Sequence, residues 1–278
     1  MLKGEHVDSV LSVQPAKTTV QGHSLLEPRG TITPSVLISG LVEARTVRHI
    51  LNEEPCAPER LHGRLLHTKR FVADRDLRER RVLNIGCGFG WFELLALSKG
   101  VDSIVGIESS HYGLEVAKQH ISDQRVSLGV GSANALPFAA GTFDTVVCWE
   151  VLEHIPKGSE PRCFAEVRRV LKEGGAFYLS TPYASLVASA LDPAWWLIAH
   201  RHYALDSIRA FARQSNLRVE VLRVVGGWWD LISLWNLYVS KWILRRSPLL
   251  QARLNRKLDM EYERNNGFTT IFTKMTAL

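Results

Sequence analysis

The chain has 278 residues, 46% of them hydrophobic and 22% charged, with a formal net charge of +6. That length suits one α/β domain with elaborations and supports a large core, while the positive balance favours anionic partners without choosing among them. Four cysteines, Cys56, Cys87, Cys148 and Cys163, show no Cys-x-x-Cys pair and no metal spacing, so reduced thiols and a cytoplasmic location are expected and a disulfide framework is not.

Residues 1–33 mix charge, Pro and Gly without periodicity or an apolar run, which predicts an arm and argues against a secretory signal. Thr33 can cap and Pro34 can open a helix reaching Leu51, and Glu53-Glu-Pro-Cys-Ala-Pro58 stops it. Residues 1–58 are therefore an expected N-terminal arm and helix, and 59–278 the main domain, entered by a helix over about 59–73.

Val82 to Ile85 predict a short buried strand, Gly86-Cys87-Gly88-Phe89-Gly90 a tight turn, and Trp91 to Ser98 a helix. Glycines at alternate positions let the backbone take positive φ and bring bare N–H groups against a ligand. Ser103 to Glu108 predict a second strand, which ends in a carboxylate suited to a pair of ribose hydroxyls. Arg125 to Val130 give a third strand, followed by Gly131-Ser132-Ala133. Gly141 to His154 read as a fourth strand running into a helix. Glu166 to Pro182 read as a helix, a Gly-Gly turn and a fifth strand; Leu205 to Gln214 as a helix; Arg218 to Val225 and Gly267 to Met275 as the last two strands. Strands alternating with helices predict a doubly wound, seven-stranded, mostly parallel sheet, and Gly86, Glu108, Ser132, Trp149 and Glu150 all fall at strand ends, where such sheets bind ligands.

The Gly-x-Gly-x-Gly turn, the carboxylate at Glu108 and the blocks behind them resemble the class I S-adenosylmethionine-dependent methyltransferases, especially the type 11 and ubiquinone-pathway O-methyltransferases, over about 60–278. The resemblance implies a Rossmann-like fold whose seventh strand runs antiparallel. It implies S-adenosylmethionine as cofactor, bound by Asn84, Gly86, Cys87, Gly88, Gly90, Glu108, Ser109, Ser132, Ala133 and Trp149. The family usually has an acid at the position of Asn84 and often Asp at that of Ser132, departures that predict weaker binding. They also motivate one alternative, a non-catalytic cofactor-binding partner of a methyltransferase. A nicotinamide-dependent oxidoreductase is the other, disfavoured by the glycine spacing.

On a helix, Glu150, Glu153 and His154 would share a face, so they are the candidate catalytic residues. Glu-x-x-Glu-His resembles the metal-binding signature of the ubiquinone-pathway and small-RNA 2′-O-methyltransferases, which implies Mg²⁺ or Mn²⁺ on these three side chains. His154 acting alone as a base, or merely packing, stays open beside it. In His200-Arg-His-Tyr203, His202 could add a ligand or touch substrate; the bland alternative is a loop of solvated histidines capped by Asp206.

The segments at about 183–204 and 226–266 are expected to read the substrate. They carry Trp195, Trp196, Trp228, Trp229, Trp235 and Trp242, and Leu231, Leu234, Trp235, Tyr238, Val239 and Trp242 recur at helical spacing before the last strand. Arg245, Arg246, Arg253, Arg256 and Lys257 follow. An aromatic helix beside a basic cluster suits peripheral contact with an anionic membrane or a lipid-linked substrate, while a lid or a dimer contact are the plainer readings. The basic residues form no nucleic-acid module, so nucleic acid is not an expected partner. The expected activity is O-methylation of a small-molecule, sugar or lipid-linked acceptor; the oligomeric state is not legible.

Overall fold

The computed structural model describes residues 61–192 and 200–278. The expected arm, the helix over 33–51, its Pro-rich stop, and Trp195 and Trp196 lie outside the described residues. Within them, α1 (Gly63–Phe71) precedes β1 (Arg81–Ile85), α2 (Trp91–Ser98), β2 (Ser103–Glu108), α3 (His111–His120), β3 (Val126–Val130) and β4 (Phe143–Trp149). Then come α4 (Glu160–Val170), β5 (Leu171–Pro182), α5 (Leu186–Leu191), α6 (Leu205–Gln214), β6 (Leu217–Val225), α7 (Trp228–Tyr238), α8 (Gln251–Tyr262) and β7 (Thr270–Ala277). A π-helical turn, Val239–Ile243, extends α7.

The seven strands form one sheet in the order β3-β2-β1-β4-β5-β7-β6, with β7 antiparallel to both neighbours and the other pairings parallel. The expected doubly wound architecture is present. Alternation along β1 explains its two cores: Leu83 and Ile85 join one cluster with Phe164 and Val167 of α4 and Ile208 of α6. Val82 joins the other, with Phe92 and Leu95 of α2, Trp149, Tyr178 and Phe272. The order reverses between β1 and β4, so their carboxyl ends diverge and leave a crevice.

Two local expectations change, and one helix is new. The segment after β4 is not helical: Glu150 is a bend, residues 152–154 are turn, and α4 starts only at Glu160. Pro156 and Gly158 disfavour helix there, and Glu150 itself adopts a left-handed φ of 53°. The Gly174-Gly175 pair is a bulge within β5 and not a turn before it, since the register jumps from Phe143↔Leu171 to Thr145↔Ala176. Finally, the basic stretch after residue 250 is helix α8, which buries Leu258 and Tyr262 and receives α1 through the bond from Gly63 N to Asp259 Oδ1 at 2.6 Å.

Candidate active site

A cavity of about 420 Å³ opens at the crevice. Its floor is the β1–α2 loop. At Gly86, φ is +75°, and a β-carbon there would sit 2.2 Å from Val151 Cγ2, so the loop can press against the turn after β4 only with glycine in place. Gly88, at φ +52°, has nothing within 4 Å of where its β-carbon would be: the backbone faces open space, as a cradle for a ligand requires. Gly90 does not line the cavity. It begins α2, and its bare face meets Ile121 of the chain leaving α3.

Glu108 closes the next wall. Its Oε1 accepts from Ser109 N at 2.7 Å, Ser109 Oγ at 3.1 Å and Ser110 N at 3.1 Å, while Oε2 accepts only from Gly88 N at 3.1 Å. A carboxylate offers about four lone-pair sites, so Oε2 keeps room for a hydroxyl donor. Beyond it, Ala133 and Ser132 lie on the cavity wall as expected. Ser132 Oγ, however, already accepts from Asn134 N at 3.3 Å, whereas Asn134 Oδ1 is buried in the wall with no donor. Asn134 joins Ser132 and Ala133 on this wall, with a buried acceptor oxygen that no protein donor fills.

Asn84, Cys87 and Trp149 sit behind the cavity. Asn84 Nδ2 donates to Glu93 Oε1 at 2.9 Å, and Asn84 Oδ1 and Glu93 Oε2 are both buried without a donor. Burial pushes the Glu93 carboxyl up to about 7, against the opposing pull of the Asn84 bond. The Cys87 side chain is buried, and burial raises its thiol, so only its backbone remains near the loop. The Trp149 expectation is corrected: alternation along β4 turns its ring into the core, 5.8 Å from Phe92 and 6.1 Å from Phe272, away from the cavity.

On the reaction side, the expected trio is broken and remade. Glu150 Oε1 accepts from Ser180 Oγ at 2.6 Å and Oε2 from Arg64 Nη1 at 2.7 Å, an α1 residue that sequence spacing could not connect to it. Its left-handed backbone is a strain the surroundings must hold, a mark common at functional sites. In its place stands His200: Glu153 Oε1, His154 and His200 offer ligand atoms within 4.8 Å of one another. His200 Nε2 lies 3.3 Å from His154 Nε2 and 3.7 Å from Glu153 Oε1. Glu153 is held by Thr181 Oγ1 at 3.0 Å, and burial together with Glu150 raises its carboxyl well above the usual range. His154 is exposed in the turn, and desolvation on its inner side together with the neighbouring His200 holds its imidazole below the ordinary histidine value. His202 takes a different part, pairing with Asp192 Oδ2 and Ser189 Oγ, both at 2.9 Å. These histidines are not solvated, and Asp206 does not cap their loop: it is exposed and pairs with Arg209. Arg201 braces the turn by donating to Leu152 O and Ile155 O.

Comparison with known proteins gives consistent relatives. A methyltransferase-domain family profile matches residues 83–179. A ubiquinone biosynthesis O-methyltransferase of Paraburkholderia xenovorans is 34% identical over 161 residues, covering 52% of this chain and 68% of that protein. The namesake from Thiobacillus denitrificans is 36% identical over 117 residues, 40% of this chain; the chain spans about half of its length, 49%. Among solved structures, an S-adenosylmethionine-dependent methyltransferase from Mesorhizobium loti shares the fold at a TM-score of 0.54 and 16% identity, covering 75% of this chain and 95% of that one.

The buried Glu93 makes a measurable signature. Its folded-state value lies above the ordinary carboxylate range, so its contribution to stability is complete below about 4.5 and is lost as pH rises through about 7. Denaturant unfolding of the wild type should therefore lose roughly 3 kcal/mol more over that interval than Glu93→Gln. Parallel pH profiles for the two proteins would show that Glu93 does not titrate in this way.

Proposed function

Because the chain belongs to the class I S-adenosylmethionine-dependent methyltransferases, we propose that it transfers a methyl group to an oxygen of a small-molecule, sugar or lipid-linked acceptor. The observation that carries this reading is the joint placement of the open Gly88 backbone, the partly free Glu108 carboxylate and the undonated Asn134 Oδ1 around one cavity. These three fit a nucleoside with a vicinal diol and an exocyclic amine. Glu108 would hold the ribose, Ala133 and Asn134 the adenine, and the Gly86–Gly88 backbone the amino-acid end. The carboxylate missing at position 84 has a neighbour at Glu93, 2.9 Å from Asn84 Nδ2. The comparisons favour methyl transfer over nicotinamide chemistry.

S-adenosylmethionine supplies a methyl group already activated by its sulfonium, so the protein's work is alignment and proton removal. Val151, Ile155 and Pro156 line the cavity with apolar surface and limit water. His154 also faces it and is neutral at physiological pH, ready to take a hydroxyl proton. A second reading has one observation in its favour: Glu153 Oε1, His154 and His200 converge as lone-pair donors, and Glu153 Oε1 has no hydrogen-bond partner. A divalent cation there would be held by Glu153, His154 and His200, not by Glu150, and would acidify an acceptor hydroxyl.

Calorimetry should detect S-adenosylhomocysteine binding that Glu108→Ala weakens by roughly 1–3 kcal/mol, the scale of a charge-assisted hydrogen bond. Tighter binding of NADH by the wild type would remove the assignment.

Two arms separate the readings of the reaction side. If His154 is the base, His154→Ala loses roughly 10²–10⁴-fold in rate while a chelator changes nothing. The wild-type rate then falls only at a pH below the ordinary histidine value, as the imidazole charges. If a cation is held, chelation abolishes transfer, and Glu153→Ala, His154→Ala and His200→Ala fail alike. Full activity of His154→Ala in chelator would dismiss both.

A further inference from the structure

Most of the exposed large apolar side chains among the described residues lie on α5, α7 and the segment after it. Trp228, Ile232 and Trp235 fall four and three residues apart on one face of α7 and are 55%, 45% and 47% exposed. The stripe read from the sequence divides: Leu231 turns inward and is buried, while Ile232, outside that stripe, points out. Trp235 Nε1 donates to Leu191 O at 2.9 Å, which joins this face to α5, where Leu186 is 92% exposed. Ile243, Leu244, Leu249 and Leu250, which follow α7, are exposed as well. A monomeric soluble protein rarely leaves so many large apolar side chains together in water.

The charge beside this face is predominantly basic, with Asp192, Asp230 and Glu261 at its edge. From 231 to 258 the chain carries Lys241, Arg245, Arg246, Arg253, Arg256 and Lys257 and no Asp or Glu. Arg245, Arg246, Arg253, Arg256 and Lys257 are exposed, and none is in an ion pair among the described residues. Lys257 lies 5.5 Å from the Trp229 ring, tying the basic helix α8 to the aromatic one. A protein partner would need a matching acidic groove with an apolar floor. A bilayer of anionic phospholipid offers that pairing over its whole surface: charge at the headgroups and apolar depth beneath them. No helix among the described residues is long and apolar enough to cross a membrane, so the contact is peripheral.

We propose that the α5–α7 face, rimmed by Arg245, Arg246, Arg253 and Arg256, docks the protein on an anionic phospholipid bilayer. Its position relative to the reaction side gives the docking a purpose. Leu191 belongs to the apolar face, the next residue Asp192 pairs with His202, and Asp192 Oδ2 lies 3.7 Å from His200 Nδ1. A lipid-linked acceptor lifted from the bilayer would thus meet the His154–His200 pair within the same insert. That purpose rests on the methyl-transfer reading; the docking itself does not.

The test is co-sedimentation of the full chain with phosphatidylcholine vesicles and with vesicles containing phosphatidylglycerol, beside sedimentation velocity without lipid. The protein should pellet with phosphatidylglycerol vesicles, remain largely free of phosphatidylcholine alone, and be released as salt rises. Arg245→Gln/Arg246→Gln should weaken binding about 30-fold, on the scale of two interfacial charges. Trp228→Ser/Ile232→Ser should weaken it as well, with melting temperature and S-adenosylhomocysteine affinity unchanged. Equal pelleting of both variants and wild type would overturn the proposal. So would a wild-type dimer that Trp228→Ser/Ile232→Ser splits and that ignores vesicles, because the face would then be a contact between copies of the chain. Because cofactor affinity is read separately, failure to bind vesicles and failure of the methyl-transfer reading remain distinct.

Discussion

Glu108 ties together the two loops on which the cofactor end depends. Its carboxylate takes the Gly88 amide of the β1–α2 loop and the Ser109 and Ser110 amides of its own turn, so neither loop can shift without losing a charge-assisted bond. The sheet makes this possible, since β1 and β2 are parallel neighbours whose ends lie side by side. The opposite wall is fixed by contact: Gly86 accepts the close approach of Val151 that any β-carbon would block. Between these two constraints the cavity has a set width before any ligand arrives, which is the preorganisation that alignment catalysis needs.

The reaction side is built differently, from long-range polar contacts to strained backbone. Glu150 is held by Ser180 from β5 and Arg64 from α1, and Glu153 by Thr181 from β5. Arg201 reaches back to the carbonyls of the turn, and His200 beside it closes on His154 and Glu153. The insert after β5 therefore braces the turn and also supplies one of its functional side chains. Its other end belongs to the exposed apolar face, so that face and the His154–His200 pair share a single segment.

Much of this was legible in the residues. The glycine turn and Glu108 are local signals, and strands β1, β2 and β4 are apolar runs bounded by breakers. What failed did so for identifiable reasons. Helical spacing grouped Glu150, Glu153 and His154, but spacing alone does not weigh Pro156 and Gly158, and it cannot foresee a left-handed Glu150. Trp149 sits at a strand end, but strand alternation decides which face its ring takes. Nothing local marks His200 over His202, because only tertiary packing brings His200 to His154. Helix α8 was hidden by charge: its apolar residues are few, and its burial depends on receiving α1.

The cofactor is expected to lie across the carboxyl ends of β1 and β2. A crystal structure of the complex with S-adenosylhomocysteine tests it most directly. The account predicts ribose hydroxyls on Glu108 Oε2, the adenine amino group on Asn134 Oδ1, and the chain of the amino acid over Gly88. Ligand density elsewhere on the sheet, with Glu108 still bonded only to Gly88, Ser109 and Ser110, would contradict it.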